Sequence, residues 1–235
     1  MYGERLYLVE FNGVTNKNIG LYATRPNIPV AEYLSESYTI PGRDGELISY
    51  LGGVSDIPIP VTFGFFGHPN KWMDKFRAAK SWLLKEKGTL VLGDDQEYFY
   101  KVKKITFDEG VREVKDIGEF TVNFLCEGYQ YLKQGKYDYD ISDVLFNAYD
   151  FCKPVYKITG EGMCTLTVNG KTMTANVGQN LTVDSDLMVA YRKDGVIMNT
   201  AVSGNYEDLW LNTGANMITI TDGFDLKIQP NWRCI

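Results

Sequence analysis

The sequence predicts a mainly β protein in two parts: an N-terminal β domain over residues 1–135 with one amphipathic helix at about 70–87, and a C-terminal β-sandwich or jelly roll over residues 136–235. Three observations predict it. Most of the chain alternates apolar and polar residues with period two, turn dipeptides punctuate those stretches, and a single segment shows helical spacing.

The helix is placed after Gly67-His68-Pro69, with Asn70 as candidate N-cap and Asp74 in the first turn. Trp72, Phe76, Ala79 and Leu83 recur at helical spacing, flanked by Trp82. Lys85 and Lys87 suit the last turn, and Gly88 is placed to end it.

The strands are read from their inward sets. Phe120, Val122, Phe124 and Cys126 share one face, and so do Cys164, Leu166 and Val168. Asn169-Gly170, a strong two-residue hairpin signal, leads into Met173, Ala175 and Val177 alternating with Thr172, Thr174 and Asn176. Asp194-Gly195 and Asp222-Gly223 mark two further expected hairpins. Ile57-Pro58-Ile59-Pro60-Val61 places two prolines two residues apart, so one edge of that strand lacks two donors. This predicts an edge strand, or one ending at a bulge, the edge either blunted against uncontrolled polymerisation or merely tolerated. Gly128 to Gly135 shows little periodicity and reads as the connection between domains, with the second strand set starting at Ser142–Phe146 or at Pro154.

Composition bounds the function. With 44% hydrophobic and 14% aromatic residues among 235, the chain can bury a sizeable core. Net charge is −6, and both halves are acidic, which disfavours specific nucleic-acid binding because phosphate neutralisation needs clustered Lys and Arg. The opening Met1-Tyr2-Gly3-Glu4-Arg5 shows no apolar leader, no stretch approaches the ~20 apolar residues of a membrane span, and no membrane insertion is expected. Cys126, Cys152, Cys164 and Cys234 form no CxxC; they read as reduced thiols of a chain folded in a cytoplasm, with a structural disulfide as the alternative.

Motifs for chemistry are scarce, and the chain reads as a non-enzyme with no catalytic, cofactor-binding or metal site. His68 is the single histidine, so it cannot supply an HExxH site, and no phosphate loop occurs. Asp138, Asp140 and Asp143 resemble the start of a calcium loop, but Asp143 stands where its glycine belongs and Tyr149 where its glutamate belongs. Asp94-Asp95 and Asp184-Ser185-Asp186 read as turns. Gly42-Arg43-Asp44-Gly45 is a tight turn whose Arg43 fork suits a carboxylate on a neighbouring subunit; an exposed hairpin turn is the plainer reading.

The phrase Tyr38-Thr39-Ile40-Pro41-Gly42-Arg43-Asp44-Gly45-Glu46-Leu47 resembles the "IPGRDGEL" stretch of phage distal tail (Dit) proteins, also called siphovirus tail components. Phe124 to Tyr131 resembles the strand that closes that family's first domain. Leu181 to Asp186 with Tyr191, then Tyr206 to Asn216, then Ile228 to Arg233 resemble later phrases, in family order. Glu207, Thr213 and Gly128 stand where the family often has proline, all at turn or loop positions.

The resemblance implies a virion tail protein whose N-terminal domains form a hexameric ring, with galectin-like C-terminal sandwiches outside. It further implies contacts with the tail tube protein, the tail-associated lysin or tail-tip protein, the tape measure protein and a receptor-binding protein, as part of a baseplate in host attachment. Tape measure and DNA would pass through the ring, and the length matches the short form without an inserted carbohydrate-binding module. Gly42, Arg43, Asp44 and Gly45 are the expected assembly residues. A different class of function is a lectin-like module for host cell-wall saccharides, with Trp210 and Trp232 as candidate platforms.

Overall fold

The computed structural model describes residues 7–66, 71–108, 111–114, 117–141 and 143–235. The chain divides into two compact units, one running to Gln130 and including Ile235, the other spanning Tyr131–Cys234.

The first unit holds β1 (Val9–Phe11), β2 (Val14–Thr15), α1 (Asn16–Ile19), β3 (Tyr22–Ala23), β4 (Tyr33–Thr39), β5 (Glu46–Val54) and β6 (Ile57–Phe66). It continues through α2 (Trp72–Leu83), β7 (Gly88–Leu92), β8 (Asp95–Phe107), β9 (Val111–Val114) and β10 (Ile117–Leu132), which carries the chain onward. The main sheet runs β2-β1-β7-β8-β10-β6-β3, with β9 also on β10. Its core is the predicted inward set: Phe120, Val122, Phe124 and Cys126 are all buried. They meet Ile57, Ile59, Val61 and Phe63, because β6 and β10 pair residue by residue from Ile57↔Cys126 to Phe63↔Phe120.

Helix α2 covers that core with Ala79, Trp82 and Leu83. Trp82 lies edge-on to Phe63 at 5.8 Å, and its Nε1 donates to Phe11 O at 3.2 Å, so the large ring is buried without a stranded donor. Truncating Leu83 to alanine would cost about 2–5 kcal/mol, the range for a fully buried leucine. Gly67–Asn70, which contain His68 and the expected N-cap Asn70, lie outside the described residues.

The helix stops four residues before the expected 87. Leu84 caps it in a non-helical conformation, and Gly88 opens strand β7 instead of ending the helix. Packing explains the difference: a Cβ on Gly88 would lie 2.4 Å from the Phe11 ring, so the glycine serves a close approach of strand to core. Residues 128–132, read as a connection, are the end of the 16-residue β10, with Tyr129, Tyr131 and Leu132 buried.

Strand β6 is second from the end of the sheet, because β3 pairs with it at Gly64 and Phe63 only. No strand among the described residues pairs with its proline half on the side away from β10. Pro58 and Pro60 stand opposite Leu125 and Asn123, and their missing donors fall on that outer margin. The edge expectation therefore holds for half the strand.

The second unit holds β11 (Tyr139–Asp140), β12 (Val144–Asn147), β13 (Val155–Val168), β14 (Lys171–Asp184) and β15 (Val189–Tyr191). It ends with β16 (Val202–Ser203), β17 (Gly214–Ile220), β18 (Asp225–Gln229) and β19 (Arg233–Cys234). The predicted Asn169-Gly170 hairpin joins β13 to β14 over fourteen paired positions, and both turn residues take positive φ, +51° and +81°. Cys164, Leu166, Val168, Met173, Ala175 and Val177 are all buried.

Asp194-Gly195 closes a small turn, with Arg192 N donating to Val196 O at 2.9 Å. Asp222-Gly223 is not a hairpin. Strands β17 and β18 lie end to end along one edge of β13, the first beside Leu166–Val168 and the second beside Val155–Thr159. The turn steps the chain along that edge because β13 is long enough to hold two short partners in succession.

Candidate functional site

Among the described residues, strands β4 and β5 pair only with each other, forming a two-stranded arm separate from the main sheet. Every residue of β4 is exposed, and so is every residue of β5 except the half-buried Val54. Yet the arm is rich in large apolar side chains. Tyr38 and Leu47 stand opposite each other on one face, while Ile48 and Tyr50 stand on the other, opposite Ser37 and Ser35. Tyr33 meets Tyr50 edge-on at 6.4 Å.

An ordinary surface hairpin turns its apolar face inward and its polar face outward. Here both faces carry apolar groups and neither is covered: Tyr50 is 70% exposed, Leu51 58% and Ile48 53%. An isolated two-stranded hairpin is marginal in water, and a contiguous apolar surface of this kind marks an interaction site. At ~3.3 Å per residue the seven residues of β4 extend about 20 Å.

The tip holds the predicted Gly42-Arg43-Asp44-Gly45. Arg43 N donates to Ile40 O at 3.1 Å, closing a turn with Pro41 second and Gly42 third at φ +81°. That is the chemistry a type II turn demands, proline fixing one φ and glycine supplying the positive one. Gly45 follows at φ +77° and turns the chain into β5. At the base, Gly52 and Gly53 both take positive φ where the β4–β5 register shifts. The tip is legible in the sequence and the exposed strands are not: apolar residues at both parities of 33–38 and 47–51 leave no single inward set.

The remaining singled-out residues serve as turns and core. Asp94 sits in the β7–β8 turn and accepts from Arg25 Nε at 2.9 Å and Tyr7 Oη at 2.8 Å. Burial and the Asp94 contact push the Tyr7 phenol up to about 12. Asp184 Oδ1 accepts from Asp186 N and Leu187 N, a local turn. Trp232 is buried; Trp210 donates Nε1 to Ser185 O and lies under the Lys153 ammonium, so neither indole is an open platform. Cys126, Cys152 and Cys164 are buried free thiols. Among the described residues no group of three or more His, Cys, Asp or Glu side chains is placed to hold a metal, and no helix is long and apolar enough to cross a membrane.

Fold and surface together define a two-unit, mainly β protein whose most distinctive feature is a bare apolar arm. Compared with solved structures, the chain is similar to the SPP1 Dit protein (gp 19.1), described as a paradigm of the hub adsorption apparatus in phages that infect Gram-positive bacteria. The TM-score is 0.74 at 12% identity, with 95% of this chain and 98% of that one covered, so the two share a fold over nearly their whole length. No family model matches the chain, and no curated protein matches it in sequence.

Proposed function

We propose that this chain is a structural protein of the distal end of a phage tail, acting as a homo-oligomeric ring rather than an enzyme. The observation that carries the reading is the β4–β5 arm, whose two apolar faces are exposed and pair with no other strand among the described residues. A second copy supplies the matching surface, because a closed ring lets each subunit's arm lie on the next and leaves none bare. The fold shared with the SPP1 hub protein supports the same assignment.

In this reading residues 1–135 form the ring and residues 136–235 sit outside it. A hexamer joins the tail tube to the tail-tip or baseplate proteins, and tape measure and DNA pass through. An acidic chain suits that passage, since its charge of −6 repels nucleic acid and does not hold it. Gly42 to Gly45 contribute at the interface, with the Arg43 guanidinium free to engage a neighbour's carboxylate in bidentate fashion.

The test is solution mass by light scattering coupled to size exclusion, over a concentration series, for the natural chain and Leu47→Asp. Assembly of about six chains that collapses in the variant is the expected result. A single-chain mass for both at every concentration removes self-assembly through the arm.

A further inference from the structure

The second unit carries an open groove of about 1030 Å³ on one face of its sheet, at the upper end of the ~300–1,000 Å³ of small-molecule sites. Strand register sets its floor. Asp140 stands opposite Lys227, Lys227 opposite Lys157, Lys157 opposite Thr182, and Thr182 opposite Tyr191. Directly opposed residues share a face, so these five side chains form one polar row across five strands. A second row lies two residues along: Asp225 opposite Thr159, and Thr159 opposite Asn180.

An aromatic wall closes the groove beside these rows. The Cδ1 side of the Phe224 ring lies against Gly160, where a Cβ would come within 2.3 Å of it. Only glycine permits that approach, and Gly160 also takes φ +154°. The ring is therefore fixed by the sheet while remaining half-exposed along the groove.

We propose that this groove is a binding site for a neutral saccharide chain. A pyranose has an apolar face of C–H groups, which suits a fixed phenyl ring, and a rim of hydroxyls that both donate and accept. The rows supply both complements: ammonium donors at Lys157 and Lys227, acceptor-only carboxylates at Asp140 and Asp225, the two-way hydroxyl of Thr182, and the amide donor of Asn180, whose Oδ1 accepts from Lys193 N at 2.8 Å. The present partners are easily exchanged. Lys157–Asp138 at 2.8 Å and Lys227–Asp140 at 3.5 Å are solvent-facing ion pairs, of the kind that contribute at most about 1 kcal/mol. Net charge selects the ligand class. The lining holds five aspartates against three lysines, so a polyanion is repelled and a neutral polymer is not. This site is independent of ring formation, since every residue in it belongs to the second unit.

The experiment is calorimetric titration of the full chain with neutral hexasaccharides of glucose, galactose, rhamnose and N-acetylglucosamine, and with poly(glycerol phosphate) as the polyanion. Saturable binding of at least one neutral chain is expected, weakened about tenfold or more in both Phe224→Ala and Asp225→Ala, with the melting temperature of Asp225→Ala unchanged so that its loss of binding is not a loss of fold. Lys193→Ala, in the loop after β15, is expected to weaken it less. No saturable binding of any neutral chain overturns the proposal, as does binding indifferent to Phe224 and Asp225, or preference for the polyanion.

Discussion

Asn169 and Asn216 meet through a single hydrogen bond, the Asn169 amide donating to Asn216 Oδ1 at 2.8 Å. Each has further duties. Asn169 sits at φ +51° in the β13–β14 turn and accepts from Met217 N, while the fully buried Asn216 also accepts from Asn212 N. The Asn216 amide donates to the carbonyls of Asn212 and Gly214. One side chain therefore satisfies a loop that has no regular partners of its own.

Replacing Asn216 with alanine strands several part-buried backbone groups at once. We expect a loss of about 2–4 kcal/mol, several unmade bonds at 1–3 each with partial relaxation. Asn216→Asp should keep the acceptor contacts and lose the donor ones, falling between. Urea denaturation of both variants checks the order; an alanine variant within error of the natural chain refutes the hub role.

Asn216 ends the Tyr206–Asn216 phrase on which the family resemblance partly rests, and only the pairing shows why an asparagine stands there. Features set by local chemistry were legible: the inward sets of β10, β13 and β14, the Asn169-Gly170 turn and the apolar stripe of α2. Features set by distant partners were not. Gly88 looked like a helix stop until Phe11 was seen against it, and Asp222-Gly223 looked like a hairpin because nothing local says that β17 and β18 share one edge of β13. The groove row was illegible for the same reason, since its five residues lie on five strands. The arm tip could be read, whereas the bareness of its strands is a property of everything else in the fold.

The arm separates two substitutions that a simple tip contact would not. Arg43→Ala removes one exposed guanidinium, and a rim charge of that kind alters association modestly. Leu47→Asp places a charge opposite Tyr38 within the apolar face and should raise the dissociation constant at least about tenfold. Analytical ultracentrifugation ranks them; a larger effect from Arg43 would move the interface from the arm's faces to its tip.

Gly128 tolerates no side chain. A Cβ there would lie 2.3 Å from Ser55 O and 2.7 Å from the Ala31 methyl, and the first neighbour is backbone. Gly128→Ala should therefore cost about 1–3 kcal/mol by overpacking. Thermal melting reads this, and an unshifted midpoint shows that the 54–55 segment yields freely.

Alkali should unfold the protein more readily than a variant that lacks its two most deeply buried thiols. Burial pushes the Cys126 thiol up to about 12, with Asp56 and Glu127 adding to it, and burial pushes Cys152 to about 11. Below pH 9 both states hold these protons and no pH dependence arises. Above it the unfolded chain releases protons the native chain retains, so stability falls by about 1.4 kcal/mol per pH unit for each thiol until the native values are reached. Denaturant midpoints at pH 8 and 10, compared between the natural chain and Cys126→Ala/Cys152→Ala, measure it. Parallel declines would place the alkaline sensitivity elsewhere.

Pro58 and Pro60 acquire a meaning beside the arm. The outer margin of β6 offers an approaching strand no N–H at two successive outward positions. On the proposed assembly through the arm, this margin gives the copies no second strand edge to add to. A ring closed arm to neighbour then has no backbone edge here on which to lengthen into a fibre.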